Sequence, residues 1–275
     1  MKWMVGLAIA FFMLTFGVCM AQEKDMKGVR KMELKAYQID PENEGETLLG
    51  NAAVEYDEHG TMTKLTQVQG IQVLSVVCEN TYDAKGRWTE KIIKAEGLLA
   101  SKETRAYAND GSFVEKKEDF EGEEAGKEKA ILLTTIHYDV KGKPVSGVQK
   151  NPDGREAKRT YRYDAAGNCT KLETTHVSGT TTEEYMYDAK NRLVETRHKN
   201  VKGALTHRTT QKWNAKNDSV EQATYDADGV LTRKTEYTYT YNAQGRHTER
   251  VMSMSGGGLS YTLKLTYEYE LYDKK

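Results

Sequence analysis

The residues with chemical potential in this 275-residue chain are few and widely spaced. Six histidines (His59, His137, His176, His198, His207 and His247) show neither HxxxH nor HExxH spacing and have no cysteine partners nearby, so strand or turn positions account for them better than a metal centre. Asp226-Ala227-Asp228-Gly229 opens like a calcium loop, but the glutamate required at its twelfth position does not follow, which leaves turn formation as the role of these aspartates. Neither a GxSxG elbow nor a phosphate-binding glycine loop occurs, so no catalytic residues are assigned and no cofactor is implied. Trp88 and Trp213 are the candidates for stacking on a sugar, although both also fit a packed interior. Beyond the N-terminal apolar segment only Cys78 and Cys169 remain. An oxidising compartment permits a disulfide between them, while two separate small buried side chains are the plainer reading. Asp218-Ser219-Val220 resembles a bacterial O-glycosylation acceptor at Ser219. Asn168-Cys169-Thr170 matches an N-glycosylation site, relevant only in a eukaryotic secretory route.

Composition narrows the class of protein that could carry such residues. Forty basic and 41 acidic side chains give a net charge of −1, which argues against nucleic acid as a partner. Three prolines, five phenylalanines, 17 tyrosines and a hydrophobic share of 38% suit many half-buried strands and exclude a helical bundle or a doubly wound enzyme with a large aliphatic core. At the N-terminus Lys2 precedes an apolar run from Trp3 to Val18, and Cys19-Met20-Ala21 ends it. This pattern reads as a signal peptide over residues 1–21, cleaved after Ala21, with export to the periplasm, the cell surface or the medium. Two alternatives stand beside it: an uncleaved anchor, and a lipoprotein on Cys19, for which Val18 is the wrong preceding residue.

The elements that must position these residues come from a repeat. An aromatic residue followed by Asp or Asn (Ala108 once), and then by Gly or Asn, recurs at Tyr56, Tyr82, Tyr107, Tyr138, Tyr163, Tyr187, Trp213 and Tyr241. Successive spacings of 26, 25, 31, 25, 24, 26 and 28 residues mark one structural unit copied along the chain. Tyr anchors the end of a strand, Asp or Asn caps backbone N–H groups of a turn, and Gly supplies the left-handed residue that a short hairpin needs. Where Gly is missing, Asn191 and Asn217 replace it. A second set of turns, including Pro152-Asp153-Gly154, Val201-Lys202-Gly203 and Gly256-Gly257-Gly258, falls about a dozen residues later, so each repeat is two antiparallel strands. Period-two alternation is plain at the C-terminus, where Tyr261, Leu263, Leu265, Tyr267, Tyr269 and Leu271 face one way and Thr262, Lys264, Thr266, Glu268 and Glu270 the other. The charged stretch from Glu118 to Lys129 reads as a solvated loop, and Met32 to Ile39 as an edge strand before the turn at Pro41-Glu42-Asn43-Glu44-Gly45. An outer-membrane barrel is disfavoured. The strand from Leu193 to His198 puts Glu195 and Arg197 on one face and Thr196 and His198 on the other, and neither suits lipid.

Tyr-Asp-x-x-Gly-Arg followed by a strand resembles the YD repeat of RHS proteins, best at Tyr82–Arg87, Tyr187–Arg192 and Tyr241–Arg246, over about residues 47–273. The resemblance implies a β-strip that spirals into a hollow shell, in cell-surface or secreted proteins of adhesion, carbohydrate binding or toxin encapsulation. The expectation is therefore an all-β protein, an antiparallel β-hairpin repeat array forming one long curled or spiralling sheet. Residues 1–21 are the signal, 22–46 a lead-in strand and turn, and 47–275 the repeat domain. In function it reads as a non-enzymatic exported binding or scaffold module of the bacterial envelope, for a glycan or another protein. A toxin-associated protein or an envelope hydrolase is the alternative. No membrane span is expected after signal cleavage.

Overall fold

A computed structural model of the chain describes residues 26, 28–40, 45–70, 72–122 and 124–272. The signal segment, with Cys19, and four residues of the first turn (41–44) lie outside the described residues. Eighteen strands form in chain order. They are β1 (Val29–Ile39), β2 (Glu46–Tyr56), β3 (Met62–Gln69), β4 (Gln72–Tyr82), β5 (Trp88–Ala95), β6 (Leu98–Tyr107), β7 (Phe113–Glu121), β8 (Lys129–Tyr138) and β9 (Pro144–Lys150). The second half holds β10 (Glu156–Tyr163), β11 (Cys169–His176), β12 (Gly179–Tyr187), β13 (Leu193–Lys199), β14 (Leu205–Trp213), β15 (Ser219–Asp226), β16 (Leu231–Tyr241), β17 (His247–Gly256) and β18 (Leu259–Leu271). No helix forms among the described residues.

Every strand pairs antiparallel with its neighbours in sequence, and β1 pairs with both β2 and β18. The sheet therefore closes into an 18-stranded barrel. This corrects two expectations: the sheet is not an open curl or spiral, and β1 is not an edge strand. The physical reason is the same for both. An open strip ends in two rows of unpaired N–H and C=O groups, and β1 satisfies both rows at once. Met32 lies opposite Tyr269 on one side and Val54 on the other.

Curvature has a local source. At seven of the eight repeat aromatics the register shifts by a β-bulge next to the ring, as between Thr81 and Tyr82 or Met186 and Tyr187. Bulges add twist and bend the strand. The exception is Tyr107, whose turn starts with Ala108 in place of Asp or Asn. The turns themselves follow the anticipated chemistry. In the Tyr82 repeat the Asp83 N–H donates to the Arg87 carbonyl at 2.8 Å, and the Gly86 N–H donates back to the Asp83 carbonyl at 2.9 Å. Oδ1 of Asp83 accepts from the N–H groups of Lys85 and Arg87. Gly86 has φ +73°, the left-handed value that closes such a loop with a bulge. The expected loop at Glu118–Lys129 is partly strand, since β7 runs to Glu121 and β8 begins at Lys129. Glu118 and Asp119 lie opposite Leu133 and Leu132 in the ladder, and the apolar side of the pairing belongs to the next strand, which disguises this charged strand as loop.

Eight aromatic-anchored turns, the start of β1 and the end of β18 make one rim of the barrel; the other nine connections make the opposite rim. The wall has two unlike faces. One carries the repeat aromatics and the most shielded residues, among them Met32, Leu34, Val54, Leu65, Leu265 and Tyr267. The other carries Lys–Glu ion pairs such as Lys94–Glu79, Lys199–Glu184 and Lys234–Glu221. In a closed single-layer wall, side chains converge on the concave face, so the aromatic face is the inner one. Full burial is confined mostly to the sector around β18, β1, β2 and β3. Elsewhere both faces stay half-exposed, as at every residue of β5 and β12, so solvent reaches the inside. Eighteen strands about 4.8 Å apart, tilted by about 40°, make a wall about 110 Å around, wide enough to remain hollow.

Candidate functional site

Each repeat holds its neighbour through the polar tip of its aromatic. Tyr107 Oη donates to the Trp88 carbonyl, Tyr163 to Pro144, Tyr187 to Cys169, and Trp213 Nε1 to Leu193, all between 2.6 and 3.1 Å. Each acceptor is the sixth residue after the preceding anchor, so the aromatics serve as staples between hairpins. Arginine adds a second tie. Arg192 Nε donates to Asp188 Oδ2 at 2.8 Å, while its Nη1 donates to the Asn214 carbonyl of the next turn at 3.0 Å. Burial is the main reason the phenols of Tyr138 and Tyr163 are pushed up to about 12, and it also keeps Tyr185 and Tyr239 neutral. These phenols are hydrogen-bond donors, not nucleophiles.

The two tryptophans are separated, not convergent. Trp88 begins β5 and Trp213 ends β14, nine strands apart in a ring of 18, so they stand on opposite sides of the barrel. The Arg105 guanidinium lies 3.9 Å from the Trp88 ring centroid and is pinned by Glu115 at 2.8 Å. Trp213 is held by its bond to Leu193. Both occupy repeat positions on the inner face.

Cys78 on β4 and Cys169 on β11 are free thiols with six strands between them, so the wall holds them apart and the suggested disulfide does not form. Burial raises the pKa of both, which makes them poor nucleophiles. Ser219, the suggested O-glycosylation acceptor, is 2% exposed, and its hydroxyl is buried on the inner face of the folded barrel. Asn168 is half-buried, with its amide donating to Asp164 and Asn191. Asp226 caps the N–H groups of Asp228 and Val230, which is the turn role read from the sequence.

Two constellations were not anticipated. Asp218 replaces the repeat arginine. Its Oδ2 accepts from Tyr241 Oη at 2.5 Å and its Oδ1 lies 3.2 Å from His247 Nε2, both carboxylate and imidazole being about one-tenth exposed. Asn214 donates to the same phenol at 3.0 Å. Burial first, and then the Asp218 hydrogen bond, push Tyr241 up to about 12, so the group is a structural clasp between two turns. The second constellation is on the rim opposite the aromatic turns, where a cavity of about 310 Å³ is lined by Gln67, Gln69, Gln72, Leu74 and Glu96. Gln67 is 4% exposed, and its Oε1 has no hydrogen-bond partner. A second cavity of about 270 Å³ on that rim is lined by Gln149, Asn151, Arg155, Glu156 and His176. The run Gln67-Val68-Gln69-Gly70-Ile71-Gln72 was the available signal, since it places amides on the inner face on both sides of one turn.

The described residues hold no cluster of three or more side chains arranged to bind a metal ion. No curated protein matches the sequence. Among solved structures, a porin-like protein from Bacteroides uniformis aligns at 13% identity and a TM-score of 0.46, over 90% of this chain and 98% of that one. A second porin-like protein, from Bacteroides vulgatus, aligns at 11% identity and a TM-score of 0.33, over 88% and 98%. The Tc holotoxin pore of Photorhabdus luminescens aligns at 11% identity and a TM-score of 0.28, over 78% of this chain but 16% of that one. Likeness at these levels says nothing of function. The model of the Teneurin YD-shell family matches residues 123–269, more than half of the chain and the stretch from the β7–β8 connection to β18. With the repeat aromatics, the capped turns and the closed β wall, that match settles the family: the chain belongs to the Teneurin YD-shell proteins.

Proposed function

We propose that this YD-repeat protein is a non-enzymatic, exported binding or scaffold module of the cell envelope or its surroundings, and that its ligand is a glycan or a protein. The observation that carries this reading is the division of the wall. The outer face is saturated with ion pairs, whereas the inner face and the rim opposite the aromatic turns keep half-exposed aromatics and amides. Amides such as Gln67 and Gln69 suit hydroxyl-rich ligands, because each amide both donates and accepts. The apolar start of the sequence supports export. The chain lacking residues 1–21 is expected to retain a defined set of glycans on an array or a partner from envelope extracts, and Gln67→Ala with Gln69→Ala should weaken glycan retention. Failure of both the array and the extract would overturn the proposal.

A further inference from the structure

His198 on β13 and His207 on β14 face each other across the ladder, with ring centroids 4.1 Å apart and planes within 13°. The row continues on both sides of this pair. Glu183 on β12 lies opposite His198, and Asp226 on β15 lies opposite His207. All four positions are on the inner face, while Arg197, Lys199 and Arg208 alternate onto the outer one.

The nitrogens are arranged unequally. Nδ1 of His207 is 3.1 Å from Thr206 Oγ1, and Nδ1 of His198 is 3.9 Å from Glu183 Oε2. Metal-ligating histidines are commonly oriented by an oxygen on the nitrogen that does not bind metal. Here Thr206 stands in that position for His207, leaving its Nε2 for a ligand, while Glu183, which accepts from Tyr185, lies near His198 without a hydrogen bond to it. Two imidazolium rings stacked at this distance would repel, so the pair is suited to sharing a ligand rather than two protons.

We propose that His198 and His207 chelate one divalent transition-metal ion through their Nε2 atoms, on the inner wall of the barrel. Two imidazoles select Cu²⁺, Ni²⁺ or Zn²⁺ over Mg²⁺ or Ca²⁺. The protein supplies two ligands, and water or a donor from a bound molecule fills the other positions. The site goes beyond the binding role proposed above and does not depend on it.

The test uses tag-free protein titrated calorimetrically with Zn²⁺ and Ni²⁺, and with Cu²⁺ followed by electron paramagnetic resonance. One ion per chain is expected, with hyperfine coupling from two nitrogens. His198→Gln or His207→Gln should each weaken binding by more than about 100-fold, and Thr206→Val, which removes the oxygen beside His207 Nδ1 together with its hydrogen bond to the His198 carbonyl, by about tenfold. His176→Gln should bind as the unsubstituted chain does, and circular dichroism melts verify that all variants are folded. Absence of binding at millimolar Zn²⁺, or equal affinity in the His198→Gln, His207→Gln double variant, would overturn the site.

Discussion

Asn191 carries a left-handed backbone, φ +59°, where most repeats use glycine. Alanine there must adopt the same conformation with a Cβ and without the local hydrogen bonding that helps Asn, so Asn191→Ala should cost about 1–2 kcal/mol in urea unfolding. Asn191→Gly should stay much closer to the parent, since it exchanges the bond from Asn168 for an unstrained turn. The neighbouring Asp188 shows a different dependence. The Arg192 guanidinium, aided by backbone N–H groups, holds its carboxyl below the ordinary range, as Arg87 does for Asp83. A carboxyl depressed in the folded state stabilises the fold above its unfolded pKa of about 4, and that contribution disappears as pH falls through the folded value. Melting temperatures should therefore drop on acidification below about pH 4. Asp188→Asn should keep the turn, as Asn200, Asn214 and Asn242 do, while its melting temperature becomes less sensitive to acid.

The hairpin was legible because its determinants are local. Tyr, Asp and Gly sit within five residues of one another, and each makes the contact its chemistry demands. The staple between hairpins was only half legible. The aromatic spacing announced an anchor, but the acceptor is a backbone carbonyl, which no side-chain type advertises. Tyr187→Phe isolates that bond by deleting the hydroxyl that donates to Cys169 at 2.9 Å and leaving the ring in place. It should cost about 1 kcal/mol by denaturant titration, the net worth of a typical hydrogen bond. An unchanged midpoint would mean that ring packing alone holds the repeats in register. The candidate site was less legible still. His198 and His207 lie nine residues apart on two strands, a separation that matches no metal motif, and only the hairpin register places them opposite one another.

Closure was hidden from the sequence for a related reason: β1 meets β18 across about 240 residues, and nothing in Met32 to Ile39 distinguishes a seam from an edge. Yet this sector holds the best-buried side chains of the described wall: Val29, Met32, Leu34 and Val54, each below 2% exposed. The seam is tied again at the aromatic rim, where Tyr272 Oη donates to the Tyr56 carbonyl at 2.5 Å and Arg30 pairs with Glu270 at 3.0 Å. In an open repeat array stability is a sum over neighbours and the ends fray; a ring has no end from which to fray. Removing residues 22–39 should convert the barrel into a strip with β2 and β18 as free edges. Such edges recruit other strands, so light scattering during size-exclusion chromatography should show concentration-dependent association. Hydrogen exchange should accelerate first in β18 and β2 and progressively less toward β9 and β10 on the far side of the ring. Leu34→Ala is the milder form of the same experiment. It should cost about 2–5 kcal/mol while leaving the protein monomeric, because the ladder on both sides of β1 stays intact. A truncated chain that remained monomeric with uniform protection would show that the strip closes on itself without β1, and that the seam strand is dispensable.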